Sequence, residues 1–427
     1  MTQQRRTSGA PFESQPKQKS IVTIMTEQKP APRPLDGLRV IEVGQLLAGP
    51  FAGTILGYFG AEVIKVEPPE TGDPIRRWRT LRNGQSLWWS SLARNKKCVT
   101  LDLKSDRGRE LMRELVAKAD VLIENFKPGT MEKWGLGPDE FKPTNPGLIY
   151  ARISGYGQTG PSAAKPGFAS VCEGFGGFRY VNGFPGEPPV RPNLSIGDSL
   201  AGIHAALGIL LAYINRTRES NGKGQVVDVA IFESVFNLLE AVVPEYSGAG
   251  IIREPSGSTL TGIVPSNTYR CSDGKLIVIG ANTESMFKRL TQVMGQPEMG
   301  VDPRFADNNK RVEHQDEIDG TIATWVGALS AASALELLDD AGVAAGPIYS
   351  VADIFRDPQY KARGLLQEVT VNGEPLTIPA IVPRLSDTPG RTDWPGPSIG
   401  AHNKEIFSTV LGLSDDEQSQ LADNGVI

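Results

Sequence analysis

The 427-residue chain has only three cysteines and three histidines. Cys98, Cys172 and Cys271 are scattered without metal-ligand spacing, and His204, His314 and His402 form no HExxH or paired-histidine motif. That argues against a histidine-built metal centre, so no metal is expected. So few cysteines describe reduced thiols in a cytoplasmic protein rather than a disulfide scaffold. A basic excess is also missing. The net charge is −5, which gives no reason to expect a nucleic-acid partner. Long apolar runs are absent: the longest, around Ala205–Ile214, is shorter than a bilayer span, so no membrane is expected. The first predicted strand-to-helix turn reads GQLLAGP rather than GxGxxG, which disfavours a nicotinamide or flavin enzyme.

The chain does have apolar segments recurring between 47 glycines and 32 prolines. Residues 1–34 stand apart, rich in Gln, Ser, Pro, Lys and Arg. They read as a disordered tail, or as a transit peptide that would send the protein to the mitochondrial matrix. From residue 35 the pattern alternates. Strands are expected at 38–43, 62–67, 99–103, 121–124, 148–153 and 225–230, with helices at 49–59, 108–119, 199–214 and 231–242. Such alternation implies βαβ units and a mainly parallel, Rossmann-like α/β sheet. Hairpins turning at Ser272-Asp273-Gly274 and Asn372-Gly373, with helices at 284–294, 312–327 and 331–341, imply a second, smaller α/β domain. The expected division is a large domain from 35 to 214, a linker at 215–259, a small domain at 260–345, and a return linker and C-terminal part of the large domain at 346–427.

The stretch VRPNLSIGDSLAGIHAALGILLAY, residues 190–213, holds one acid, Asp198, at the mouth of an apolar helix. An N-cap is the ordinary explanation, since Asp accepts from the first free helical N–H groups. The sharper one is a nucleophile, because a carboxylate is ionised at neutral pH and attacks an activated carbonyl without a base. His204, inside the same helix, reads as a satisfied core histidine. Basic residues recur in predicted strand-to-helix loops: Arg94, Lys96, Lys97 and Lys104, then Lys127 and Lys133. Each is ordinarily a solvated charge; together they would suit a polyphosphate over the strand ends. The glycines of ARISGYGQTGP and of Glu173-Gly174-Phe175-Gly176-Gly177 read as turns or as places where backbone passes close to something bulky.

The segments PLDGLRVIEV, LLAGPFAGTILGYFGAEVIKVEPPETGD, ARNKKCVTLDLKSDRG, ADVLIENFKPGTMEKWGLG, LIYARISGYGQTGP and IGDSLAGIHAALGILLA resemble, in order and spacing, the family III CoA-transferases, the carnitine/bile-acid CoA-transferase group. The resemblance spans roughly 35–427 and is densest over 35–235. It implies that Asp198 is the nucleophile. It also implies a coenzyme A thioester as substrate, with no tightly bound cofactor, and an interlocked homodimer. By likeness to formyl-CoA transferase, CoA contacts are expected at Leu47, Ala48, Leu101, Asp102, Leu103, Lys104, Asn125, Phe126, Lys127, Lys133 and Lys165. Leu47 and Pro68 depart from that enzyme's Gln and Arg, and its tetraglycine loop has no equivalent, so oxalate and formate are not the expected substrates. The implied reaction moves CoA from a short acyl-CoA such as succinyl-CoA to a small carboxylic or dicarboxylic acid, with Arg152 and Arg191 as candidate acceptor-binding groups. Two alternatives stand beside it. An α-methylacyl-CoA racemase would need a histidine where Phe168 stands. A non-catalytic CoA-binding paralogue would not need to keep Asp198.

Overall fold

The computed structural model describes residues 31–218 and 222–427. The expected tail lies outside the described residues up to position 30. Its last four residues do not: Arg33 ion-pairs with Asp36 at 3.3 Å and with Asp393 at 2.7 Å.

Six strands form one parallel sheet: β1 (Arg39–Glu42), β2 (Glu62–Glu67), β3 (Lys96–Thr100), β4 (Val121–Glu124), β5 (Ile149–Ser154) and β6 (Val226–Ala230). Before β6 run α1 (Ala48–Tyr58), α2 (Leu87–Leu92), α3 (Asp106–Val116), α4 (Thr130–Lys133), α5 (Ala169–Phe175) and α6 (Ile196–Arg218). The spatial order is β3-β2-β1-β4-β5-β6, the doubly wound order that reverses between its first and fourth strands. The strands are apolar on both faces because helices cover both. Val40, Val63, Val121 and Ile149 lie in register and pack with Ala52 and Leu56 of α1 and Ala205 and Ile209 of α6. Their neighbours Ile41, Ile64, Leu122 and Tyr150 turn to the other face. There they meet Leu111 and Leu115 of α3 and the C-terminal Ile406, Phe407 and Leu421. The chain's end is tied to the sheet by hydrogen bonds as well: the Asp102 N–H donates to Val426 O at 2.8 Å, and the Cys98 N–H to the His402 side-chain Nδ1 at 3.1 Å.

β3 lies three residues before its expected position. Arg94 and Lys96, expected in a phosphate-facing loop, are 1% exposed. Lys96 sits inside the protein with its Nζ 2.9 Å from Glu42 Oε2. The apparent charge run is the start of a strand whose lysine is paired internally.

Residues 215–259, expected as a linker, hold regular structure among the described residues. They carry the end of α6, the edge strand β6, then α7 (Ile231–Phe236) and α8 (Val242–Ala249). The expected helix over 231–242 breaks at 237–241, where Glu240 adopts a φ of 44°. Further on, β7 (Ser266–Arg270), β8 (Leu276–Gly280) and β9 (Ala345–Pro347) form an antiparallel sheet ordered β9-β8-β7. With α9 (Glu284–Val293), α10 (Gln315–Gly327) and α11 (Ala331–Asp340) it encloses a separate core containing Ile277, Ile279, Phe287, Leu290, Ile322 and Leu338.

α6 is 23 residues long and apolar enough to cross a bilayer, which corrects the expectation that no stretch reaches that length. Its small residues Ala201, Ala205 and Ala212 are buried against the sheet. Ile203, Leu207, Leu211 and Ile214 form an exposed stripe on the same helix.

Candidate active site

β1 and β4 are neighbours at the point where the strand order reverses, so the loops leaving their C-terminal ends diverge around a crevice. Two side chains shape the first of these loops. Asn125 Oδ1 accepts the Gln45 N–H at 2.7 Å, while its Nδ2 donates to Gln45 O at 2.8 Å. Asp73 accepts the Leu46 N–H at 3.1 and 3.2 Å, and Leu46 is held at a φ of 65°. Asp73 is itself buried, with Lys65 Nζ 2.9 Å away, and Lys65 lies 3.2 Å from Glu42. Burial acts to lower the Lys65 pKa, but Asp73 and Glu42 outweigh it and raise it. For Lys96 burial wins over Glu42 and the pKa falls. Losing one member of this buried network would leave an uncompensated charge beneath the loop, at a cost of about 3–5 kcal/mol.

α6 begins at Ile196, so Asp198 is the third residue of its first turn and not its cap. The helix reaches the crevice because it touches the start of α1 closely: a Cβ on Gly202 would lie 2.8 Å from Ala48 O. Among the described residues no hydrogen bond reaches the Asp198 carboxylate, which faces a cavity of about 980 Å³. Burial, then the nearby Glu173 carboxylate, pushes its pKa up to about 6, against the pull of Arg191. Glu173, on α5, is fully buried. Its Oε1 accepts the Gly197 N–H at 3.1 Å, and its Oε2 lies 3.4 Å from Arg191 Nε without forming a hydrogen bond. Cys172 is held as a thiol, because burial, followed by Asp198 and Glu173, pushes its pKa up to about 11.

The same cavity gathers Leu47, Ala48, Asn125, Phe126, Lys127, Lys165 and Arg191 around Asp198. It does not gather the rest. Leu101 is buried in the core beneath the sheet, with Leu103 packed against it, because both continue the apolar face of β3. Lys104 is exposed after the edge strand β3, its N–H bonded to Asp102. Lys133 is exposed on α4, off the cavity. Arg152, a candidate acceptor-binding group, is buried and held by Glu124 at 2.8 Å and Glu132 at 2.7 Å. Phe168 is 68% exposed and lines the cavity. His204 is not satisfied: its Nδ1 is buried without a partner among the described residues. The glycine-rich loop has a packing reason. A Cβ on Gly155 would stand 2.8 Å from Gly167 Cα, so two loops touch backbone to backbone beside the site.

Glu173, Asp73, Trp78, Arg79 and Trp88 were not picked out from the sequence. Trp78, Arg79 and Trp88 line the cavity. Their signal was local: aromatic and arginine residues crowd into RRWRTLRNGQSLWW, a short segment that no apolar periodicity demands.

The profile of CoA-transferase family III matches residues 35–403. The chain is 49% identical over 408 residues to the succinyl-CoA–D-citramalate CoA-transferase of Chloroflexus aurantiacus, covering 94% of this chain and all of that one. It is 43% identical to the alpha subunit of the succinyl-CoA–L-malate CoA-transferase of Chloroflexus aurantiacus, covering 92% of each. Among solved structures, a CaiB/BaiF family protein from Brucella suis superposes with a TM-score of 0.79 at 35% identity, over 89% of this chain and all of that one.

Proposed function

The chain belongs to CoA-transferase family III, and from that premise we propose that it moves CoA from succinyl-CoA to a small dicarboxylate through covalent chemistry at Asp198. An Asp198 oxygen attacks the thioester carbonyl. The C–S bond breaks, CoA thiolate leaves, and an aspartyl–succinyl anhydride remains. The thiolate then attacks the Asp198 carboxyl carbon, breaking the anhydride C–O bond, which releases succinate and leaves an aspartyl-CoA thioester. The acceptor carboxylate attacks that thioester, again expelling CoA thiolate. The thiolate finally takes the acyl group of the new anhydride and restores the Asp198 carboxylate. Every bond broken is matched by one formed, and no step calls for a metal or redox group.

The observation that carries this reading is the Asp198 carboxylate, unbonded at a helix N-terminus and facing a cavity with two lysines at its rim. A carboxylate that accepts no hydrogen bond keeps its lone pairs available for attack. The α6 N-terminus would stabilise negative charge developing at the reacting carbonyl. Lys127 and Lys165 would meet CoA phosphates as point charges. The relatives named for citramalate and malate favour four- and five-carbon dicarboxylates as acceptors. A racemase is disfavoured because Phe168 carries no proton. A silent paralogue is disfavoured by the retained acid.

The working form in this proposal is an interlocked homodimer. The apolar stripe Ile203, Leu207, Leu211 and Ile214 would be covered by the second copy, since a soluble chain rarely leaves such a row in water. Incubating the protein with succinyl-CoA and L-malate or citramalate, and following the new CoA ester by chromatography, tests the transfer. No exchange with any dicarboxylate would sink it. Mass measurement in solution tests the dimer.

A further inference from the structure

A second cavity, of about 530 Å³, shares Leu47, Arg79, Trp88, Leu194 and Ser195 with the first. Its remaining wall is largely apolar, with Phe51, Leu92, Leu200, Pro379 and Ile381. Two cations line it. Arg94 is fully engaged by the protein itself: it donates to Ser91 O at 2.7 Å, to Pro379 O at 2.6 Å and to Ser91 Oγ at 2.7 Å. Arg79 is not. Its neighbours in the chain all have protein partners: Arg76 holds Glu67, Arg77 holds Thr71 O, and Arg82 pairs with Glu374. Among the described residues no carboxylate and no carbonyl takes the Arg79 guanidinium. It lies against the Trp88 ring, 4.7 Å from its centroid. Its backbone sits at a φ of 58°, a conformation that L-residues other than Asn, Asp and His seldom adopt. Strain of that kind gathers at ligand-binding positions.

We propose that Arg79 is the group that selects dicarboxylates, binding the distal carboxylate of both the succinyl donor and the acceptor acid while the reacting carboxyl sits at Asp198. The proposal rests on the transfer reading and deepens it. The exposed Arg79 guanidinium lies over the Trp88 indole and keeps N–H groups free, which suits a carboxylate received through two parallel hydrogen bonds. Its place at the junction of the two cavities puts it within the space that also reaches Asp198. The apolar wall beyond suits the short methylene chain that separates the two carboxyl groups. The other cations of the first cavity are less suited to this task. Arg191 faces Glu173, and Lys127 and Lys165 are assigned to phosphates.

The test compares two esters of equal length, succinyl-CoA and butyryl-CoA, which differ only in the distal carboxylate. Formation of the enzyme-bound CoA adduct is followed with each, in the wild type and in Arg79→Met and Arg79→Lys. The wild type prefers succinyl-CoA. In Arg79→Met the preference collapses by about 10–100-fold, the effect of one charge-assisted contact, while the butyryl rate stays level or rises. Arg79→Lys restores part of it. An unchanged preference in Arg79→Met, or an equal fall with both esters, overturns the assignment. A wild type that reacts with neither ester overturns the transfer reading and this assignment with it, whereas a loss confined to succinyl-CoA supports both.

Discussion

Asn125 and Gln45 lie 80 residues apart in the chain and exchange two hydrogen bonds, at 2.7 and 2.8 Å, across the reversal point of the sheet. The pair closes β1's loop onto β4's loop and fixes the backbone that Leu47 and Ala48 present to the cavity. Asn125→Ala removes both bonds and leaves a backbone amide and carbonyl to find water. The expected outcome is a KM for the CoA ester raised about tenfold with a smaller change in kcat, because on the proposed reading the loop meets substrate away from the reacting carbonyl. Steady-state kinetics at saturating acceptor reads this directly. A fall in kcat with KM unchanged would show that the pair acts on the chemical step instead.

Much of this scaffold was legible in the sequence. β2 (EVIKVE) and β4 (VLIE) are short β-branched and apolar segments flanked by polar or turn residues, and they lie at 62–67 and 121–124 as expected. β3 was misplaced because its first residues are lysines, and burial of Lys96 depends on Glu42, which is 54 positions away. Periodicity cannot reveal a charge paired across strands. For the same reason Arg94 and Lys96 looked like phosphate ligands, while Asp73 beneath the loop went unnoticed. In the site itself Asp198 stood out because it is a lone acid in an apolar run. Glu173 did not, because the glycines around it suggested a turn and nothing local showed that it would pack behind Gly197. Leu101 was named by resemblance alone, and its side chain, one residue past β3, packs in the core.

Asp198→Asn should abolish transfer and stabilise the fold. The folded carboxyl has its pKa raised from 3.8 to about 6. A raised acid pKa means that the ionised form is disfavoured in the folded state, so this group's contribution to stability is lost as pH rises through about 6. Asparagine removes that cost, which amounts to ~2–3 kcal/mol above pH 7. Thermal denaturation at pH 8 should show a higher midpoint for the variant, with the gap narrowing toward pH 4. A lower midpoint at pH 8 would mean that the carboxylate is held by favourable contacts.

Glu173→Gln keeps an oxygen for the Gly197 N–H but removes the charge behind Asp198. On the proposed reading Asp198 attacks in its ionised form, so activity is expected to fall as pH drops through about 6. Without Glu173 the Asp198 pKa falls, since burial alone then raises it while Arg191 still lowers it. The acid limb of the kcat/KM profile should move to lower pH, and the ratio of activity at pH 5.5 to that at pH 8 should rise severalfold. Lys127, Lys165 and the neutral Cys172 also face the site and are unchanged by the substitution. An unshifted limb accompanied by lower stability would reduce Glu173 to a structural support.

Lys127→Ala and Lys165→Ala should each raise the KM for acyl-CoA more than Lys104→Ala or Lys133→Ala do. The first two line the cavity with Asp198, and the others are exposed away from it. Loss of one point charge on a phosphate corresponds to about a five- to tenfold change at low salt, shrinking as ionic strength rises. The four variants assayed at two salt concentrations separate these positions. Equal effects from all four would mean that CoA lies along the edge of the sheet over β3.

The transfer and racemase readings make opposite demands on Asp198. A racemase removes and returns an α-proton, which takes a base on each side of the carbon. Phe168 cannot serve as one, and Glu245, another acid in the following region, is tied to Arg253 at 2.6 Å. A transferase needs only a nucleophile, and with donor but no acceptor it should stall as the aspartyl-CoA thioester. Incubation with succinyl-CoA alone should therefore add the mass of CoA, less water, to the peptide carrying Asp198, and hydroxylamine should remove it. In parallel, 2-methylacyl-CoA in deuterium oxide should gain no deuterium at its α-carbon. Rapid α-deuteration without an adduct would reverse the assignment, and His204, whose Nδ1 lacks a partner, would then be the first residue to replace.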